Sequence, residues 1–593
     1  MYSNYMKNTL YTLSIALLFI SISCSSHKKI IGDNLIVNYQ INSSYILLPI
    51  EEKAPSLKIK VCPLDSANQQ VYDVHLAINK IDYWVPIDVK KCRGEKIDLE
   101  FIGLKEVVLG INEIKQSDNF DFEYNEIHRP LFHYSPEHGW MNDPNGMVYL
   151  DGQYHIFYQY NPYGSMWGNI HWGHAVSTDL VSWTYLKTAI APDSLGAIFS
   201  GSIVIDVNNT AGFGKNAMVA IYTSAGKVQS QSLAYSTDKG RTFTKYGHNP
   251  VLQNQGVSDF RDPKVSWNEV SKQWIMALAT KQTVTFYGSS NLKEWKKLSE
   301  FGQGLGSHAG VWECPDLFPL TYQGKTKWVL LVSMNPGAPN GGSATQYFIG
   351  NFDGKTFNAD SLPYPLWLDY GRDNYAGVTF SNIPSKDGRR IFMGWMSNWD
   401  YAEQLPTLNF RSATTIPRQL TLSGNGEHMI LKGFPVKEVN SLRGTSKTIP
   451  DQLIEKEFSI HELLPQNKGA YEIEMTLKPH NAKNFGFELK NSKAENLKFT
   501  FNLNAGKLTI DRERSGKIDF NAKFKSGSTA PLMVKESYRV RLLVDKSSAE
   551  IFVNEGEVAM TTLFFPTETM NTLQLFSNEG NLKVENITIH NIK

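Results

Sequence analysis

His155-Ile-Phe-Tyr-Gln-Tyr160 is a short run of apolar and aromatic residues that reads as a β-strand, and runs of the same kind recur along the chain. They stand at Met218-Val-Ala-Ile-Tyr-Thr223, Trp274-Ile-Met-Ala-Leu-Ala279, Trp328-Val-Leu-Leu-Val-Ser333 and Ile391-Phe-Met-Gly-Trp-Met396, spaced by roughly 54 to 63 residues. That period is long for a repeat but within reach of propeller blades joined by long loops. Five strong strands imply five units. A second element trails four of them: Ser177-Thr-Asp-Leu-Val-Ser-Trp183, Ser236-Thr-Asp-Lys-Gly-Arg-Thr-Phe243, Ser289-Ser-Asn-Leu-Lys-Glu-Trp295 and, more degraded, Phe352-Asp-Gly-Lys-Thr-Phe357. Each is a polar turn followed by an aromatic that can pack back on its blade.

Three acids sit in phase with this repeat. They belong to Trp140-Met-Asn-Asp-Pro-Asn-Gly146, Arg261-Asp-Pro263 and Trp312-Glu-Cys-Pro-Asp316, where Asp143, Asp262 and Glu313 each stand beside a proline turn and polar or aromatic neighbours. These acids and the segment Tyr375-Ala-Gly-Val378 precede their unit's strong strand by about 12 to 16 residues, and Phe199-Ser-Gly-Ser202 precedes the remaining one by somewhat more. Equivalent positions on blades around an axis converge on one end of the central channel, so the three carboxylates are expected in one pocket. Hydrolysis of a glycosidic bond with retention needs a nucleophilic carboxylate and, about 5 Å away, a second acid that protonates the leaving oxygen. A third acid can hold sugar hydroxyls as positive charge develops.

The rest of the chain frames this site. With 593 residues, several domains are expected. Lys plus Arg (59) nearly balances Asp plus Glu (58), which leaves no electrostatic footprint for nucleic acid or an anionic membrane. An apolar stretch from Leu10 to Ile22 follows Lys7, is too short to span a bilayer, and ends at Ser21-Ile22-Ser23-Cys24. It reads as an export signal with a lipobox-like end, so that Cys24 becomes a lipidated first residue and the membrane is met only through that anchor; plain secretion is the alternative. The basic stretch Ser25-Ser-His-Lys-Lys29 favours the periplasmic face over the cell surface. The expected division is an export signal over 1–24, a small β domain over 25–126, the propeller over 127–425 and a β-sandwich over 426–593. The last shows in alternating strands such as Tyr471-Glu-Ile-Glu-Met475 and Tyr538-Arg-Val-Arg-Leu-Leu543. Cys62 and Cys92 are open to either a disulfide or two buried thiols, and Cys314 reads as a small packed side chain because no histidine stands by to activate it.

The segments His133-Tyr-Ser-Pro-Glu-His-Gly-Trp-Met-Asn-Asp-Pro-Asn-Gly146, Phe199-Ser-Gly-Ser202, Arg261-Asp-Pro263 and Glu313-Cys-Pro315 together resemble glycoside hydrolase family 32, the β-fructofuranosidases. The likeness spans about 130 to 593 and implies an all-β chain with a five-bladed propeller followed by a β-sandwich. It implies Asp143 as nucleophile at C2 of a β-D-fructofuranosyl unit, Glu313 as general acid/base and Asp262 as transition-state stabiliser. It places Asn142, Gln159, Trp167, Phe199, Ser200, Arg261, Tyr375 and Trp395 around the fructose, with Trp167 and Trp395 as apolar walls. Neither metal nor organic cofactor is expected. Finer matches, among them Asp369-Tyr-Gly-Arg-Asp-Asn-Tyr375 and Asn398-Trp-Asp-Tyr-Ala-Glu-Gln-Leu-Pro-Thr407, resemble microbial exo-inulinases and levanases more than plant invertases. Phe410 stands where relatives often carry Trp, and the N-terminal β domain has no counterpart in the minimal family architecture. The expected activity is an exo-β-fructosidase acting on levan, inulin and sucrose. The rivals are an endo-acting fructanase, a transferase, and a non-catalytic fructan-binding lipoprotein.

Overall fold

The structure is a computed structural model that describes residues 27–63, 70–122, 124–424 and 426–593. Cys24 and the apolar stretch before it lie outside the described residues. Among the described residues no helix is long and apolar enough to cross a membrane.

Five sheets make the propeller. Each begins with the strand that carries a candidate site segment: Gly139–Leu150, Ala197–Asp206, Phe260–Asn268, Val311–Tyr322 and Tyr375–Thr379. These five inner strands lie against one another in a closed ring. The strong strands of the repeat come second in every sheet, antiparallel to the inner strand. They read as unbroken apolar runs because both faces are covered: Ile221, Val265, Met276 and Leu278 share one core between the second and third sheets, and Ile275, Phe286, Leu330 and Val332 another between the third and fourth. The ring is closed by Phe410–Arg411, which pairs in parallel with Gly139 and Trp140 of the first inner strand. The fifth sheet then continues through Arg418–Ser423 and Ile430–Pro435, beyond the 425 expected for the propeller.

The trailing turns are built as their residues suggest. Asp179 accepts the amides of Val181 and Ser182, and the Trp183 indole donates to the Leu180 carbonyl. Asn291 and Trp295 repeat both contacts two blades on.

The C-terminal part is a sandwich of a seven-stranded and a six-stranded sheet, with Phe485, Phe487, Phe499, Phe501 and Ile551 in the layer between them. Here the burial alternates residue by residue, as in Asn496–Asn502, since only one face is covered. The N-terminal part has a five-stranded sheet and a three-stranded sheet around Leu35, Val37, Ile46, Leu48, Leu99 and Phe101. Cys62 and Cys92 are free and half-buried, so there is no disulfide between them.

Propeller and sandwich are joined by buried charges. Arg418 donates to Asp369 at 2.7 Å, to Thr561 at 2.6 Å and also to Glu550. His133 bridges Asp545 at 2.8 Å and Glu550 at 2.9 Å. Burial works to lower the His133 pKa, but the hydrogen bonds to Asp545 and Glu550 push it up to about 9. Removing one member of such a network strands the others without compensation. Arg418→Met is therefore expected to destabilise the chain by about 3–5 kcal/mol, read as a lowered denaturant midpoint by tryptophan fluorescence; an unchanged midpoint would show the network to be dispensable.

Candidate active site

Every inner strand carries an extra residue relative to its neighbour at the candidate site, and the first carries a second, where Gly146 and Met147 stand opposite Ile156. Asn142 and Asp143 stand opposite Gln159; Ser200 is the extra residue between Phe199 and Gly201; Asp262 and Pro263, Cys314 and Pro315, and Ala376 and Gly377 interrupt the other three ladders. The prolines next to the acids thus sit at bulges inside strands, not in turns ahead of them, and a bulge is where a strand can give up a backbone donor. The bulge also re-aims side chains, and it sets Asp262, Cys314 and Ala376 at φ of 64°, 46° and 51°.

The acids meet in one hydrogen-bonded cluster. Asp143 is buried, and its Oδ2 accepts from Ser200 Oγ at 2.7 Å and Gln159 Nε2 at 3.0 Å. Its Oδ1 accepts from Asn142 Nδ2 at 3.0 Å, and Asn142 is held in turn by the Trp140 indole at 2.7 Å. Asp262 is also buried; its Oδ2 accepts the Cys314 amide at 3.0 Å, while its own amide donates to Thr223 Oγ1 at 3.0 Å. The Cys314 thiol lies between the two aspartates, 3.5 Å from Asp143 Oδ2 and 3.6 Å from Asp262 Oδ2. Glu313 is less enclosed: Oε1 accepts from Arg261 Nη2 at 3.0 Å and Nε at 3.2 Å, and Oε2 accepts the Tyr375 hydroxyl. Arg261 is oriented from its other side by Asp259 at 2.6 Å.

The electrostatics follow from this crowding. Burial, and then the charge of Glu313, raise the Asp143 pKa to about 6. Burial raises Asp262 to about 7, with Arg261 opposing and Glu313 and Asp143 adding to the rise. Burial drives the Cys314 thiol well up, and the neighbouring carboxylates add to it, so it is a protonated donor and not a nucleophile. Further along the same inner strands, Lys264 pairs with Asp316 at 3.4 Å, and Asp316 accepts the Thr379 amide at 2.6 Å, which ties the third, fourth and fifth blades together behind the cluster.

Not every expected residue lies where the sequence reading puts it. Asn142, Gln159, Ser200, Arg261 and Tyr375 all touch one of the acids. Trp167 is 44% exposed and meets Phe199 edge to face at 6.1 Å, at the rim. Trp395 does not line the pocket as expected: it has no exposed surface, because its ring is enclosed by Trp140, Tyr375 and Trp399. It backs the site instead of walling it, and the half-buried Trp399, stacked on Trp140 at 5.8 Å, is the ring nearer to solvent. Cys314, Thr223 and Asp259 escape sequence reasoning because their roles depend on which neighbouring strand they face.

Residues 133–433 match the "Glycosyl hydrolases family 32 N-terminal domain" and residues 438–591 the "Glycosyl hydrolases family 32 C terminal". Residues 32–132 match a "Domain of unknown function (DUF4980)". A levanase of Bacillus subtilis (strain 168) is 49% identical over 483 residues, covering 79% of this chain and 71% of that protein. The crystal structure of exo-inulinase from Aspergillus awamori superposes with a TM-score of 0.73 at 34% identity, covering 80% of this chain and 99% of that one. The fructofuranosidase from Schwanniomyces occidentalis complexed with fructose gives a TM-score of 0.71 at 33% identity, covering 80% and 100%. With both family domains matched in order and the propeller carrying its acid cluster, the chain belongs to glycosyl hydrolase family 32 and is a glycoside hydrolase.

Proposed function

We propose that this enzyme is a retaining exo-β-fructosidase that removes terminal β-D-fructofuranosyl residues from fructans such as levan and inulin, and from sucrose. The observation that carries the reading is the convergence of Asp143, Asp262 and Glu313 from three blades into one cluster whose members are already hydrogen-bonded in distinct ways. Likeness to a levanase, an exo-inulinase and a fructofuranosidase complexed with fructose supports the sugar. The expected export fits that substrate, since polymeric fructan is met outside the cytoplasm.

Each acid then has a role suited to its surroundings. Asp143 Oδ2 is occupied by Ser200 and Gln159, so Oδ1, held by Asn142 alone, is the oxygen that attacks C2. Glu313 gives its proton to the glycosidic oxygen as the C2–O bond breaks and the bond from C2 to Asp143 forms. That proton leaves from the Oε2 side, since Oε1 accepts two N–H groups of Arg261 while Oε2 accepts only the Tyr375 hydroxyl. Water then attacks C2, Glu313 takes its proton, and Asp143 departs. Asp262 holds fructose hydroxyls while positive charge develops at the anomeric carbon.

Initial products tell this reading from its rival. Chromatography of the first few percent of digestion is expected to show free fructose from levan, inulin and sucrose alike. A ladder of oligosaccharides with little fructose would replace the exo reading with an endo-acting one.

A further inference from the structure

The N-terminal domain grips the segment that carries Trp167. That segment, residues 161–170, links the second and third strands of the first blade. On one side of Trp167, the buried Ser165 donates its amide to Tyr83 Oη at 3.0 Å and its hydroxyl to Glu52 Oε2 at 3.0 Å. Tyr163 lies against Tyr72, ring centroids 4.2 Å apart, and packs on the N-terminal core. On the other side, Asn169 exchanges two hydrogen bonds with the Asp73 backbone, at 2.8 and 2.7 Å.

A second path reaches Trp167 through charge. Glu52 pairs with Arg411, whose side chain is only 2% exposed. Arg411 also donates to the carbonyls of Glu403 at 2.5 Å, Leu405 at 3.1 Å and Thr407 at 2.6 Å. The Glu403 carboxylate accepts the Trp167 amide at 3.3 Å. Trp167 is thus anchored before, after and at its own backbone, while its indole stays 44% exposed beside Phe199. An exposed tryptophan on a strand connection would otherwise sample many positions, and each residue ordered in advance spares the cost of ordering it on binding. The two family domains begin at residue 133, and the match to the exo-inulinase leaves a fifth of this chain outside it while using 99% of that protein. The grip is therefore an addition to the hydrolase body.

We infer that the N-terminal domain is a splint for the pocket rim: Glu52 and Tyr83 are positioning residues that hold Trp167 ready for an incoming fructan chain. The inference rests on the proposed function, because it takes Trp167 as a sugar contact. It predicts a KM effect that passes through Trp167. Tyr83→Phe combined with Glu52→Gln is expected to raise KM for inulin about five- to tenfold with kcat within about twofold. In a Trp167→Ala background the same pair is expected to raise KM no further, since two changes acting through one contact are not additive. Thermal melting checks that the variants are folded at the assay temperature, and Tyr83→Phe alone, which removes one hydroxyl, is expected to move KM in the same direction. An unchanged KM in the pair of substitutions, or an increase that multiplies with that of Trp167→Ala, would overturn the inference. Failure of the unaltered enzyme to hydrolyse inulin would instead strike the proposed function.

Discussion

Asp143→Asn is expected to abolish fructan and sucrose hydrolysis, lowering kcat by on the order of 10⁴ to 10⁶ as loss of a nucleophile does elsewhere. The fold should be untouched. Asn keeps the size of Asp143 and one acceptor for Ser200 and Gln159, and at neutral pH it removes a buried charge that Glu313 already disfavours. Activity should therefore fall with no drop in melting temperature. The same carboxyl sets the acid side of the pH profile. Its pKa is raised to about 6 and it must be ionised to attack, so kcat/KM should fall as the pH drops below about 6. Retention of more than a few percent of activity in Asp143→Asn would remove it from the nucleophile's role.

Glu313→Ala is the second large effect. Loss of a general acid and base costs about 10² to 10⁴, but the loss should depend on the leaving group. An aryl fructoside needs little protonation, so its first step should be nearly spared, while natural fructans should be cleaved at the reduced rate. Azide, which needs no base to attack, should restore turnover of the aryl substrate and give a fructosyl azide. Equal losses on both substrates without azide rescue would mean that Glu313 acts by charge alone, through its pairing with Arg261.

The architecture was legible because the strongest strands are covered on both faces, so their apolar runs stand out and their spacing reports the blades. The acids were legible by the same spacing. What the spacing could not show is the bulge at each of them, although Pro144, Pro263 and Pro315 were its signal: a proline inside a strand belongs at an edge or a bulge. The burial of Trp395 is not legible in its motif, because motif position does not say which rings will cover it: Trp140, Tyr375 and Trp399 enclose it. Cys314 is the small packed side chain its sequence suggests, but its place between two carboxylates needs strands from different blades to be seen together. The contact from Glu52 to Arg411 joins residues 359 positions apart, and no local pattern announces such a pair.

The central claim is covalent attack by Asp143, and it is most directly tested by trapping. Glu313→Ala mixed with an aryl fructoside should accumulate the glycosylated form, because formation is spared and hydrolysis is slowed. After acid quenching and proteolysis, mass spectrometry is expected to find one hexosyl unit on the peptide containing residues 140–146, fragmenting to Asp143. A hexosyl unit on Asp262, or no adduct together with inverted fructose as the first product of the unaltered enzyme, would contradict it.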